Sequence, residues 1–387
     1  MTAFAATAPL WFTTHSPPLP KLTLHVLCLA HHAPRFLSAS PVPIRAISTP
    51  QSGRKTETKA RNKLDLDIRG RIYLSEQGIN AQYSGPSRNA LAYVEWLRED
   101  PRFSDALIQV SAATNGHAFP KLKLRYKPSL VQVEGGILHL PLFDPSMRAT
   151  PLPPSEWRKK LQAANDDDHV SNVQKSCILL DVRNGYEWDI GHFCGALRPD
   201  VDCFRSTSSA LSQLKDSAVD PLDNVDKDKT DILMYCTSGI RCDIYSTLLR
   251  QKGFKNLYTL KGGVSHYLRI EGPVGWVGNL FVFDSRLSLF PTVLKPEEAA
   301  NQVVRIKEAS QRTPFARCYL CGMLVDELMH RNCANLDCNQ LFLCCGRCLE
   351  ELSGCCCLDC TSAPRLRPIL RGCHRYERWH IYRDMAS

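Results

Sequence analysis

The chain has 387 residues, 44% of them hydrophobic, and a formal net charge of +9. That length suits two or three globular domains, and the mild basicity permits RNA or an anionic surface as a partner without requiring either. No run approaches the roughly 18 apolar residues that span a bilayer, LTLHVLCLA included, so no membrane partner is expected.

The first acidic residue is Glu57, and Lys21, Arg35 and Arg45 are the only formal charges before residue 50. Ser, Thr, Ala and Pro dominate this stretch, which is the profile of an organelle transit peptide kept unfolded for import. PIRAIS resembles a plastid processing site, with cleavage at or near Ala46, and the low Arg content favours plastid over mitochondrion. Residues 1–46 are therefore expected to be a disordered transit peptide and the mature chain to work in the plastid stroma. A disordered cytosolic tail is the alternative.

Residues 47–68 are polar and read as a linker or an altered domain start. Residues 69–134 then read as a small α+β domain. GRIYLS alternates like a strand, GINAQYSG is a second strand, and SRNALAYVEWLRED has helical spacing with Ser87 as its N-cap. DALIQVS and KLKLRYKPSLV add further strands, the latter a basic amphipathic edge. A Pro- and Gly-bearing linker over 135–155 separates this unit from the next.

Over 156–275, short apolar strands (SCILLDVR, DILMYC, NLYTLKGG) alternate with helical patterns. Such alternation predicts a parallel sheet with helices on both faces. YCTSGIRC places a tight loop between the second of these strands and a helix. Backbone N–H groups there point into one bowl, and the helix N-terminus adds positive potential. A thiol at the centre of such a nest is acidified and nucleophilic. Cys236 is accordingly the candidate catalytic residue, with Thr237, Ser238, Gly239, Ile240, Arg241 and Cys242 as its loop. The preceding strand end supplies Asp181, Arg183, Glu187 and His192 to the same crevice, since neighbouring parallel strands converge at their C-terminal ends. A buried structural cysteine is the alternative, and a Cys236–Cys242 redox sensor pair without catalysis is another.

A connector over 276–314 leads to a Cys-rich module with a basic tail, residues 315–387. Twelve of the 18 cysteines lie between Cys318 and Cys373. The pairs Cys318/Cys321, Cys333/Cys338, Cys345/Cys348 and Cys357/Cys360 supply eight thiolates, enough for two structural zinc ions. Cys344, Cys355 and Cys356 leave the ligand choice open, and disulfides are the alternative. No organic cofactor motif is evident. In the tail, Arg371, Arg375, Arg378 and Trp379 interleave cations with a stacking face, as RNA binding needs. A helix packed on the zinc module, with a solvated basic face, would read the same way.

Three segments, DVR…YEW…GHF.GA, YCTSGIRC and GFKNLYTLKGGV, resemble the rhodanese domain. In that family the loop cysteine carries a persulfide, which falls here on Cys236. The loop is CxxGxR, one residue shorter than the CxxGxxR of related phosphatases, which favours sulfur chemistry over phosphate hydrolysis. With RGRIYLSEQGINAQYSG before it and CYLCG…NCANLDCNQLFLCC after it, residues 69–383 resemble the longer rhodanese-like proteins that include the tRNA uridine hydroxylases and plant plastid relatives. The resemblance implies a ferredoxin-like first domain, whose opening strand and helix are not recognisable just ahead of Arg69. It also implies tRNA as partner and hydroxylation of a wobble uridine dependent on Cys236. A sulfurtransferase using a small donor such as thiosulfate is the other activity it allows.

Overall fold

The computed structural model describes residues 21–29, 66–75, 78–101, 103–104, 106–112, 117–129, 131, 133, 136, 139–142, 144–167, 177–199, 204, 221–223, 225–294, 316–325, 328 and 330–369.

The first domain is a five-stranded sheet with a helix on one face. Its strands are β1 (Lys21–Leu29), β2 (Arg69–Ser75), β3 (Gly78–Pro86), β4 (Leu107–Ala112) and β5 (Lys123–Tyr126), in the order β4-β1-β3-β2-β5. Helix α1 (Ser87–Arg98) presents Ala90 and Val94, one turn apart, to Ile72, Ala81 and Tyr83. It starts at Ser87 with Pro86 in the cap position, one residue earlier than the expected cap. The parity of the strands then follows: Ile72 and Ala81 face the helix, and Arg71, Tyr73, Asn80 and Gln82 face away.

The disorder expected throughout residues 1–46 does not hold at β1. That strand pairs antiparallel with β3 from Lys21↔Pro86 to Leu29↔Gly78, and with β4 from Leu22↔Ala112 to Leu27↔Leu107. It takes the place of the opening strand that is not recognisable in the sequence just ahead of Arg69. The physical reason is one of scale: Leu22, Leu24 and Val26 alternate with Thr23 and His25, a strand pattern diluted by the composition around it.

The second domain is a parallel sheet in the order β6-β10-β9-β7, formed by β6 (Thr150–Leu152), β7 (Cys177–Asp181), β9 (Asp231–Tyr235) and β10 (Leu257–Leu260). Alternate residues feed two cores. Leu180, Ile232 and Met234 meet Ile244, Tyr245 and Leu249 of α4 (Ile240–Gln251). On the other face Leu179, Leu233 and Tyr235 meet Trp157 of α2 (Pro154–Asp167) and Val264, Tyr267 and Leu268 of α5 (Gly263–Ile270). Helices therefore cover both faces.

Both expected connectors are partly absorbed into this domain. Within 135–155, Leu140, Leu142 and Ala149 enter the core and β6 forms the sheet edge. Within 276–314, β11 (Trp276–Gly278) pairs with β8 (Gly191–Phe193), and β12 (Leu280–Phe281) pairs with β13 (Ser288–Leu289). Trp276, Leu280, Val282, Leu289 and Leu294 complete the second core. Their apolar spacing was too irregular to separate a strand from a linker.

The third module holds a hairpin of β14 (Arg331–Asn332) and β15 (Leu341–Phe342) with the short helices α6 (Gly346–Glu351) and α7 (Leu358–Thr361). It shares a core with the second domain, in which Ala316, Val325 and Leu343 pack with Ile190 and Phe281. The tail residues Arg371, Arg375, Arg378 and Trp379 lie outside the described residues.

Candidate active site and metal centres

β9 ends at Tyr235, the loop begins at Cys236, and α4 begins at Ile240. Gly239 sits at φ 107°, a left-handed conformation in which a side chain would be strained, and this turns the chain sharply enough to aim amides back at the sulfur. The Gly239 N–H donates to Cys236 Sγ at 3.0 Å. A second helix supports the loop from behind: the N–H groups of Val264 and Ser265 donate to the carbonyls of Cys236 (3.0 Å) and Thr237 (3.3 Å). Gly263 makes that approach possible, since a Cβ there would lie 2.5 Å from the Thr237 carbonyl carbon.

The Cys236 thiol is buried, and burial alone would raise its pKa. The opposing causes win: a hydrogen bond from the Cys242 thiol, the Arg241 charge, and the backbone N–H groups of Cys242 and Ser238 bring it down to about 5. Cys236 is therefore a thiolate at neutral pH. Cys242, pushed well above its ordinary value by burial and by the neighbouring sulfur, keeps its proton. The pair divides the labour of an anion and its donor.

The surrounding charges are fixed in two buried pairs. Arg241 grips Glu187 through both guanidinium nitrogens, with Nη2–Oε1 at 2.8 Å, and Thr237 Oγ1 donates to the same oxygen at 2.7 Å. Burial would raise the Glu187 pKa, but the Arg241 charge and its hydrogen bonds hold it below the usual carboxylate range. Glu187 sits in α3 (Gly185–Trp188), where it forms a capping box with Asn184. The other pair lies beneath: Asp181 takes Nε and Nη2 of Arg183 at 2.9 and 2.6 Å, while Arg183 Nη2 also donates to the Gly191 carbonyl at 2.6 Å. The rings of Tyr235 and Trp276 flank that guanidinium at 5.5 and 5.2 Å. This pair ties the ends of β7 and β8 together. His192 is held against Trp188, with stacked rings 3.7 Å apart and its Nδ1 3.0 Å from the Trp188 carbonyl oxygen. Ile240 points into the domain core.

Because Glu187 and Arg241 are desolvated together, removing one partner strands the other. Glu187→Ala should cost about 3–5 kcal/mol of stability in urea unfolding. A loss of under 1 kcal/mol would mean that water already reaches the pair.

Two residues near the sulfur were not singled out from the sequence. Asp243, next after Cys242, has its pKa raised to about 6 by burial first and by the Cys236 charge, with Arg148 opposing. It follows the loop motif directly, so its position was visible although its burial was not. Asn184 anchors the far side, its side-chain oxygen accepting from the Phe204 N–H at 2.9 Å. Only a contact 20 residues along the chain reveals that role.

The cysteines of the third module form two groups of four. Cys318, Cys321, Cys345 and Cys348 make one; Cys333, Cys338, Cys356 and Cys360 make the other, with all sulfurs of a group within 4.8 Å of one another. Cys357, the ligand expected from the CxxC spacing, is exposed and outside both groups, and Cys356 takes its place. The reason is local: Cys357 caps α7 in an extended conformation, so the residue before it and Cys360 turn inward. Pairs one and three share one group and pairs two and four the other, so the groups interleave along the chain. Sulfur separations of 3.7 Å for Cys321–Cys345 and Cys338–Cys356, and 3.9 Å for Cys356–Cys360, match the edge of about 3.8 Å of a tetrahedron of ~2.3 Å metal–sulfur bonds. Each group can hold a metal ion.

A thiolate cradled where a parallel strand meets a helix, with a buried Glu–Arg pair fixing the loop, defines a rhodanese-type cysteine site. Comparison with known proteins agrees across the chain. Residues 145–269 match the rhodanese-like domain, 47–130 the UPF0176 acylphosphatase like domain and 277–361 the rhodanase C-terminal family. The chain is 67% identical over 330 residues to "Rhodanese-like domain-containing protein 8, chloroplastic" of Arabidopsis thaliana, covering 83% of this chain and 74% of that protein. It is 38% identical over 322 residues to the tRNA uridine(34) hydroxylase of Chlamydia caviae, covering 82% and 84%. It is 36% identical over 337 residues to that of Protochlamydia amoebophila, covering 87% and 91%. The chain belongs to the rhodanese-like family that contains these proteins, and it is a cysteine enzyme of that family. The plastid location expected from the N-terminal composition agrees with that of the Arabidopsis relative. No helix among the described residues is long and apolar enough to cross a membrane.

Proposed function

We propose that the chain hydroxylates the wobble uridine of tRNA in the plastid stroma, with Cys236 as the nucleophile. The observation that carries this reading is the Cys236 thiolate, acidified to about 5 at the bottom of an amide nest, in a chain whose relatives are named for that reaction. Uracil presents an electrophilic C6, and a sulfur anion that is desolvated yet ionised is suited to add there. The C5 so made electron-rich takes oxygen from a peroxide-class two-electron oxidant with cleavage of its O–O bond, and loss of the C5 proton then expels the thiolate. Thr237, Arg241 and Glu187 hold the loop rigid while a base enters, and Cys242 supplies the proton partner.

The eight clustered thiols point to two zinc ions as the resident metals, since soft, all-thiolate tetrahedral sets of this size suit zinc and are closed to substrate. Their contribution is structural, fixing the third module against α3 and so against Glu187.

A sulfurtransferase is the second reading, favoured by the same nest, which would stabilise a persulfide on Cys236 as well as a thiolate. The two separate by product. Nucleoside analysis of plastid tRNA from plants with and without this protein should show 5-hydroxyuridine lost from wobble positions in its absence. Loss of a thiolated nucleoside with 5-hydroxyuridine intact would replace hydroxylation by sulfur transfer. An unchanged nucleoside profile would remove tRNA as the substrate.

A further inference from the structure

The first domain meets the second through one face of its sheet, next to the turn that backs the active-site loop. Gln109 of β4 is buried and donates from Nε2 to the Gly262 carbonyl at 2.9 Å. Gly262 precedes Gly263, the residue packed on Thr237 and Ser238. A second contact lies beside it, where Arg286 donates to Ser111 Oγ at 2.8 Å. Gln109 and Ser111 share a parity, so the face that meets the second domain is one particular face of the sheet.

Registers identify the rest of that face. Through β1, Gln109 and Gln82 are placed on the same side, because both pair with His25. Gln82 pairs with Arg71, and Asn80 with Tyr73. Arg71 pairs with Lys123, and Tyr73 with Arg125, across the parallel β2–β5 ladder. The side opposite α1 therefore carries Gln109 at the end fixed to Gly262, Gln82 and Asn80 on β3, and Arg71, Lys123 and Arg125 toward the far edge. Lys127 extends the row, its ammonium 4.2 Å from the Tyr73 ring centre. Among the described residues, none of these cations takes part in an ion pair. Arg125 is exposed, and Arg71, Lys123 and Lys127 are half-exposed.

We infer that this sheet face is the RNA-binding shelf of the enzyme, on which the single-stranded anticodon loop of the substrate lies with its wobble base reaching Cys236. The inference rests on the tRNA reading above and deepens it. Unpaired cations on a half-solvated sheet favour a polyanion. The amides of Asn80 and Gln82 offer donors and acceptors to base edges and ribose hydroxyls, as unpaired RNA requires. The part of the face carrying the amides and cations, from β3 to β5, is about 10 Å wide at ~4.8 Å per strand, the width of a single nucleic-acid strand. Gln109 fixes the sheet to Gly262, the residue before the turn that backs the Cys236 loop, so the cationic strands are held at a set position relative to the active-site domain. From the sequence KLKLRYK reads only as a basic amphipathic edge strand; the register places its cations on this face.

The test uses the full chain and a transcribed tRNA with an unmodified wobble uridine. Lys123→Gln/Arg125→Gln should weaken tRNA binding about tenfold near physiological salt, and the slope of log affinity against log salt should fall by about 1.4, two single-strand phosphate contacts. Iodoacetamide alkylation of Cys236 should be unchanged, which shows the loop intact. Arg125→Gln alone, at an exposed position, gives half that slope change if the double variant folds poorly. Wild-type affinity and slope in both variants, with tRNA still bound, would overturn the shelf and leave the proposed function standing. If wild-type protein bound no tRNA but bound polyglutamate through these residues, the face would be a site for acidic protein and the tRNA reading would fall with it.

Discussion

Cys236→Ser should abolish uridine modification and leave the thermal unfolding midpoint within a few degrees of wild type. The hydroxyl accepts the Gly239 N–H as the sulfur does, but it does not ionise near neutral pH, so the fold keeps its bond and the site loses its anion. The same sulfur can be followed without substrate. Its alkylation by iodoacetamide should rise with pH through a midpoint near 5 and stay level above it, because the thiolate is the reactive form and its pKa is lowered. Cys242→Ala removes the thiol that donates to Cys236 and should move that midpoint upward; Cys242→Ser, which keeps a donor, should move it less and cost only part of the activity. Full activity in Cys236→Ser would end the catalytic assignment.

Metal analysis of the reduced protein should return two zinc ions per chain, one from each group of four thiols. Cys356→Ser should lose one of them, and Cys357→Ser neither, which sets the geometric assignment against the CxxC spacing in a single pair of variants. Chelation should unfold the third module, since thiolate binding of zinc supplies on the order of 10 kcal/mol that so small a core cannot replace. The parallel sheet has two cores of its own and should survive, although Ile190 and Phe281 would lose their cover. Because each group draws on pairs separated by the other's ligands, the first ion cannot close its site until the chain has been made past Cys348, nor the second until it is past Cys360. Folded, reduced protein free of metal would refute the zinc assignment.

How much of this was legible depended on range. The Cys236 loop could be read from YCTSGIRC because strand, glycine turn and helix are all local, and the amide nest follows from that order alone. The Glu187–Arg241 grip spans 54 residues, so the sequence placed both at strand ends without pairing them. The zinc ligands could be counted but not chosen, since Cys356 and Cys357 differ only in which way α7 turns them. The proposed RNA shelf was hidden more deeply: four cations are visible along Lys121–Lys127, but only the pairing of β2 with β5 puts Lys123 and Arg125 on the face that Gln109 fixes to Gly262.

β1 bears on where the N-terminal segment could be cut without harm to the first domain. Its nine residues lie between β3 and β4, so cutting at Ala46 would discard the middle of a sheet. Two rows of unsatisfied amides and carbonyls would then face each other across a slot one strand wide. Such edges recruit any extended segment within reach, another copy of the chain included. A protein trimmed ahead of Lys21 would stay monodisperse, while one trimmed at Ala46 would self-associate unless a strand from elsewhere filled the slot.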